Sequence, residues 1–337
     1  MLHTLKRPTR LLVLFLTLAL LTPVASAAPP VEGWDELGRQ VRALAPASAL
    51  LAAEVTDGAC RPIHAVEADR EIGIASTFKL YVLGELARQV ADGRAAWEEP
   101  LAVSDRWRSK ASGEMRYESA GTRHSLRYFA ERMIADSDNT ATDHLIARLG
   151  RENVEGMLAV LGHDAPELNV PLLMTRELFS LKAAPEEWPI DAYLAASDDE
   201  QRRFLDEEIA PRPVAPEGWG DWSGPERIDL EWFASANDVC RALARLRQLS
   251  ERPDLRAVTQ ILGLNRGGDL FDARRWPYAA FKMGSEAGVY NLTWLLRRAD
   301  GRDFVLTLGF NNPDAGIDQG AAWAIAARAE ALLARER

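Results

Sequence analysis

Three short stretches of this chain carry residue types that could perform acyl chemistry. In Ile74-Ala75-Ser76-Thr77-Phe78-Lys79, a serine and a lysine stand three apart at the expected start of a helix, so both side chains share one face. A desolvated lysine gives up its proton readily, so a neutral Lys79 could take the proton of Ser76 as its oxygen attacks. The N-terminus of the helix favours the negative charge that develops there. Lysine is scarce: Lys6, Lys79, Lys110, Lys182 and Lys282 are five of 40 basic residues, and the rest are arginine, whose guanidinium stays protonated in proteins. A Ser-x-x-Lys pair alone is expected about once by chance in a chain of this size, as a serine cap followed by an exposed lysine.

Two further stretches change that weighing. Ser137-Asp138-Asn139 lies between two helical patterns, and such a triplet has a chance expectation on the order of a few hundredths. Its ordinary use is a turn that ends one helix and caps the next. Lys282-Met283-Gly284-Ser285 lies on a strand pattern, where the ordinary use of the lysine is to guard an exposed edge against aggregation.

The elements that must position these residues follow from periodicity. Gly33 to Ala45 has Trp34, Leu37, Val41 and Leu44 at helical spacing. Two strand patterns, from Ser48 and from Arg61, flank Thr56-Asp57-Gly58-Ala59, whose Asp-Gly pair signals a hairpin. From Ser76 to about Leu249 the pattern is mostly helical, interrupted over 184–227 by a stretch rich in proline, tryptophan and acid. Trp188, Trp219 and Trp222 favour an ordered excursion packed on the body over a disordered linker. Strand patterns return at Tyr278, Val289 and Asp303, and a helix over about 319–334 closes the chain. The fold class expected is α/β in the α+β sense: one antiparallel five-stranded sheet flanked by the terminal helices, with an all-helical domain inserted. The boundaries expected are 28–85 and 255–337 for the α/β domain and 86–254 for the helical one.

Lys6, Arg7 and Arg10 precede an apolar run from Leu11 to Leu21 that ends near Ala25-Ser26-Ala27, the pattern of a signal peptide over residues 1–27. A run of about 11 apolar residues is short of the roughly 20 that cross a bilayer. The expectation is a secreted or periplasmic protein cut after Ala27, with no membrane attachment afterwards. Removing three basic residues takes the formal charge from −10 to −13, which argues against nucleic acid as a partner. Cys60 and Cys240 could pair after export or stay as buried thiols. His64, His124, His144 and His163 make no metal-binding pattern, so no metal is expected. Asn291-Leu292-Thr293 matches a glycosylation sequon inside a strand pattern and reads as a polar strand face. The acids of 198–200 and 206–208 read as a solvated helix face.

In order, the three stretches match the Ser-x-x-Lys, Ser-Asp-Asn and Lys-Thr-Gly set of serine β-lactamases and penicillin-binding proteins. From about residue 33 onward the chain resembles a class A β-lactamase. The resemblance implies that Ser76 is the acylated nucleophile, Lys79 its activating partner and Ser137 a proton relay to the leaving nitrogen. It implies that Asn139 and Asn169 hold the substrate and that Lys282 supplies positive potential. It further implies an oxyanion hole from the N–H groups of Ser76 and Ser285, with Gly284 between the lysine and that serine. A monomer that opens a small β-lactam or related acyl compound, with no cofactor, follows from the same resemblance.

The pattern departs from the family in two places. Aligning Leu168-Asn169 puts Ala165 where the glutamate that activates the deacylating water belongs, leaving Asp164 and Glu167 as neighbouring candidates for that base. Met283 stands where a hydroxyl residue commonly meets the substrate carboxylate, and Ser285, on the same strand face, could partly replace it. The alternatives are a slow-deacylating penicillin-binding or esterase-like enzyme, or a non-catalytic ligand-binding relative.

Overall fold

The computed structural model describes residues 33–183, 190–212 and 224–336. The stretch over 1–27 read as a signal peptide and the three tryptophans at 188, 219 and 222 lie outside them. No helix among the described residues is long and apolar enough to cross a membrane.

Helix α1 (Trp34–Leu44) buries Leu37, Gly38 and Val41 against the first hairpin, β1 (Ala47–Thr56) and β2 (Ala59–Val66). Asp57 and Gly58 both have positive φ, 53° and 73°, as the hairpin turn that suits the twist of paired strands requires. The late strands β3 (Tyr278–Glu286), β4 (Val289–Arg297) and β5 (Asp303–Asn311) complete an antiparallel sheet of order β2-β1-β5-β4-β3. β1 is thus internal, and six successive residues, Ser48 to Ala53, are buried. Ala49, Leu51 and Ala53 join the main core on one face, and the alternation of strand side chains turns Leu50 and Ala52 to the other. β2 and β3 are the two edge strands, and β3 lies against the turn that carries Ser76.

The middle of the chain is helical: α2 (Lys79–Ala91), α3 (Leu126–Ala135), α4 (Asn139–Leu149), α5 (Arg151–Val160), α6 (Thr175–Lys182), α7 (Ile190–Ala195), α8 (Asp198–Phe204), α9 (Ala236–Leu249) and α10 (Ala257–Leu262). The chain closes with α11 (Gln319–Leu333), which packs on α1 and β5. α2 is buried on every side from Lys79 to Ala87, because α3, α4, α5 and α9 surround it. α9 packs on the sheet: it contacts β1, β2 and β5, and its Cys240 is bonded to Cys60 of β2. The disulfide closes the choice that the sequence leaves open.

The part of the excursion that is described is ordered. Ile190, Tyr193, Leu205 and Ile209 belong to the main core. The acids that open α8 are solvent-facing, and Glu200 also caps the helix through Ser197. At its base the excursion is closed by a two-residue antiparallel pairing of Ile72 and Gly73 with Ala234 and Phe233. That pairing places the chain leading to Ser76 beside the chain leading into α9.

Candidate active site

Ser76 sits in a one-turn 3-10 helix, Ala75–Phe78, that runs into α2. Three contacts fix this turn. The Ala75 N–H donates to Glu231 Oε2 at 3.0 Å, and Thr77 Oγ1 donates to Asn291 Oδ1 at 2.9 Å. Phe78 stacks on Trp232 with ring centroids 3.9 Å apart. Ala75 is held at φ 44°, a left-handed conformation that costs a non-glycine residue on the order of 1 kcal/mol and persists only where the surroundings impose it. Ser76 remains partly exposed among buried neighbours. The sequon residue Asn291 is a buried strut, since its carbonyl also accepts from Thr293 Oγ1 at 2.9 Å.

Lys79, the first residue of α2, is fully buried. Its Nζ donates to Asn139 Oδ1 at 2.6 Å, to the Ser137 carbonyl at 2.6 Å and to Ser137 Oγ at 3.1 Å. Ser137 has φ 56°, and Asp138 behind it caps α4 by accepting from the Ala141 N–H at 2.8 Å. The capping use of this triplet and its place beside Lys79 are therefore both realised: the turn that starts α4 aims Ser137 and Asn139 at the lysine. Burial pushes the Lys79 ammonium down to about 7, against the opposing pull of Asp138 and Asp143.

Lys282 reaches the same point from β3. Its Nζ donates to Ser137 Oγ at 3.0 Å and to the Met283 carbonyl at 2.6 Å. Burial, and then the charge of Lys79, drive its ammonium well below the usual lysine range. Two residues on, Gly284 faces the nucleophile turn. A Cβ at this position would lie 1.9 Å from the Ile74 carbonyl oxygen and 3.0 Å from the Ser76 nitrogen. Only glycine lets the edge strand approach the turn this closely. Ser285 follows on the exposed strand face. An edge strand leaves half of its backbone groups outside the ladder, free to meet a substrate.

With this geometry in place, a family model described as the beta-lactamase enzyme family matches residues 48–334. This chain belongs to the beta-lactamase enzyme family. Among solved structures, a β-lactamase from Sphaerobacter thermophilus is similar with a TM-score of 0.60 at 20% identity, over 90% of this chain and 97% of that one. A mutant of PBP-A in an acyl-enzyme complex with penicillin G has a TM-score of 0.58 at 17% identity, over 91% and 98% of the two chains. A β-lactamase from Desulfarculus baarsii has a TM-score of 0.59 at 17% identity, over 90% and 97%. At such identities these structures attest the fold. No curated protein matches.

Within this beta-lactamase-family fold, three of the site residues expected from sequence make their polar contacts with other groups or stand exposed. Asn169 ends the 3-10 turn Pro166–Asn169 and pairs with the Phe233 backbone in both directions, at 2.8 and 2.9 Å. Asp164 pairs with Arg241 of α9, and Glu167 is exposed. None of the three bonds to Ser76, Lys79, Ser137 or Lys282. Some 60 residues, including α6, α7 and α8, separate Asn169 from Phe233, so the Asn169–Phe233 bonds close the base of that segment.

The residues that do pack beside the nucleophile turn escaped the sequence reading. Lys182 at the end of α6 meets Glu231 at 3.4 Å and also pairs with Glu286 of β3. The signal available was that Lys182 is one of only five lysines. Among the described residues, one group, Glu71, His163 and Asp238, has its polar atoms close enough for a metal ion. Its imidazole is already engaged on both sides, Nδ1 with the Ala165 N–H and Nε2 with the Phe233 carbonyl, so no ring lone pair faces a cation.

Proposed function

We propose that this protein is an exported, monomeric serine hydrolase that opens β-lactams or related cyclic acyl compounds through an acyl-enzyme on Ser76. The observation that carries this reading is the convergence of Lys79 and Lys282 on Ser137 Oγ, at 3.1 and 3.0 Å, beside the turn that presents Ser76. In the proposed cycle Lys79, neutral in part near pH 7, takes the Ser76 hydroxyl proton as Oγ bonds to the substrate carbonyl carbon. The oxyanion is held by the N–H groups of Ser76 and Ser285. As the C–N bond breaks, Ser137 Oγ gives its proton to the leaving nitrogen and is reprotonated by Lys79. Asn139 orients the acyl side chain, and Lys282 keeps the potential at Ser137 positive. Water then splits the ester, releasing the acid and restoring Ser76.

The placement of Asp164, Glu167 and Asn169 favours a second reading of the last step, in which acylation is intact and release is slow. Intact-protein mass followed over time with benzylpenicillin and a chromogenic cephalosporin tests both. Sustained turnover that Ser76→Ala abolishes is the outcome expected of the first reading. A lasting adduct with one equivalent consumed is the outcome expected of the second. No adduct and no turnover with either compound, nor with a fluorophosphonate, would refute both.

A further inference from the structure

The two proposed oxyanion donors, the N–H groups of Ser76 and Ser285, come from elements that share no ladder: a 3-10 turn and the edge strand β3. Directly between them the contact is Gly284, which has no side chain to set a spacing. Each donor nevertheless adjoins a residue that bonds to, or belongs to, the same buried ion cluster. On the Ser76 side, Glu231 Oε2 accepts the Ala75 N–H at 3.0 Å and its own neighbour's, that of Trp232, at 3.1 Å. On the Ser285 side, Glu286 is the next residue of the strand and pairs with Lys182. The two sides meet where Glu231 Oε1 lies 3.4 Å from Lys182 Nζ. The Lys182 and Glu231 side chains are fully buried and that of Glu286 is 12% exposed, so water screens these charges little.

We propose that Lys182, Glu231 and Glu286 form a positioning clamp that fixes the distance between the two halves of the oxyanion hole and keeps the charge beside it neutral. This rests on the reading that Ser76 is acylated. The charge balance follows from the cluster's composition of one ammonium and two carboxyls. Burial, and then the charge of Glu231, push Glu286 up to about 9 despite the pull of Lys182. At neutral pH Glu286 therefore keeps its proton and can donate it to Glu231, so Lys182 and Glu231 cancel. Among the described residues, the Arg227–Asp229 pair also lies near this cluster: Arg227, and then Lys182, hold Asp229 below the usual carboxylate range. As pH rises through about 9, Glu286 ionises, its bond to Glu231 is lost, and a second negative charge appears next to the place where the oxyanion forms.

The test is the rate of Ser76 labelling by a fluorophosphonate from pH 5 to pH 10.5, with the mature chain and its Glu286→Gln and Lys182→Met variants, melting temperatures being read in parallel. The native protein should lose labelling rate above about pH 9, and Glu286→Gln, which carries no ionisable group there, should lose that alkaline decline. Lys182→Met should lower the limiting labelling rate at saturating reagent by about tenfold or more with little change in half-saturation, as expected when donors are misplaced and binding is not. An alkaline decline that is absent from the native protein, or that persists in Glu286→Gln, overturns the clamp. If the native protein labels at Ser76 and the profiles coincide, the clamp alone falls. If Ser76 is never labelled, the acyl-enzyme reading falls and takes the clamp with it. Should either variant fail to fold, the native profile alone decides.

Discussion

Lys79 of α2 and Lys282 of β3 bring their ammonium nitrogens to one oxygen, Ser137 Oγ, at nearly equal distances of 3.1 and 3.0 Å. Burial lowers the proton affinity of both ammoniums, and the charge of Lys79 lowers that of Lys282 further. The cleft thereby contains, near neutral pH, a lysine able to accept a proton and a serine able to pass one on.

Lys79→Arg keeps a positive charge and removes the capacity to accept a proton. The labelling rate of Ser76 should fall by about 10² or more, the usual scale of a general base. The check is stopped-flow or mass-resolved acylation, and a loss under threefold would contradict the role given to Lys79.

The acid limb of the same rate should report Lys79. A lysine lowered to about 7 is charged below that pH and neutral above it, so acylation rises as pH increases through about 7 and is lost on acidification. In stability the sign is the same. Between about 7 and the ordinary lysine value of 10.5 the unfolded chain binds the extra proton, so this group's contribution to stability grows as pH rises across that interval. A rate profile flat from pH 5 to pH 8 would remove the argument.

Gly284→Ala forces a methyl group to within 1.9 Å of the Ile74 carbonyl, an overlap that backbone must relieve. Moving β3 away from the turn displaces one oxyanion donor, so acylation should drop by about 10²- to 10³-fold. Circular dichroism should show the fold retained, because β3 keeps its full ladder with β4.

Asn169→Ala separates stability from chemistry. It removes the side-chain acceptor of the Phe233 N–H and one of two donors to the Phe233 carbonyl, the other being His163 Nε2, at a cost of about 1–2 kcal/mol in denaturant unfolding. Ser76 labelling in the folded fraction should stay within about twofold, and a loss of more than tenfold would return Asn169 to the cleft.

Reducing Cys60–Cys240 frees edge strand β2 from α9 across a sequence separation of 180. The loss expected is about 2–5 kcal/mol, seen as a lower melting temperature in reductant with Ser76 labelling unchanged at 25 °C.

Much of this molecule was legible in the chain as written. The hydrophobic periods of α2, α4, α9 and the five sheet strands, and the Asp57-Gly58 turn, are local properties, because side-chain alternation and turn dihedrals depend on neighbours in sequence. The Ser76, Ser137 and Lys282 stretches were recognisable for the same reason: each is a compact unit whose residue types must be adjacent to act together. What the tertiary structure alone decided involves partners far apart. Asn169 was aligned by a short stretch that its neighbours could not contradict, and only the packing of residue 233 shows that it closes the base of an inserted segment. Cys60 could be matched to Cys240 only when α9 was laid on the sheet. Lys182, Glu231 and Glu286, separated by 49 and 55 positions, become one cluster only through burial in a shared low-dielectric pocket. There the energy of each charge is set by groups that the local sequence does not contain.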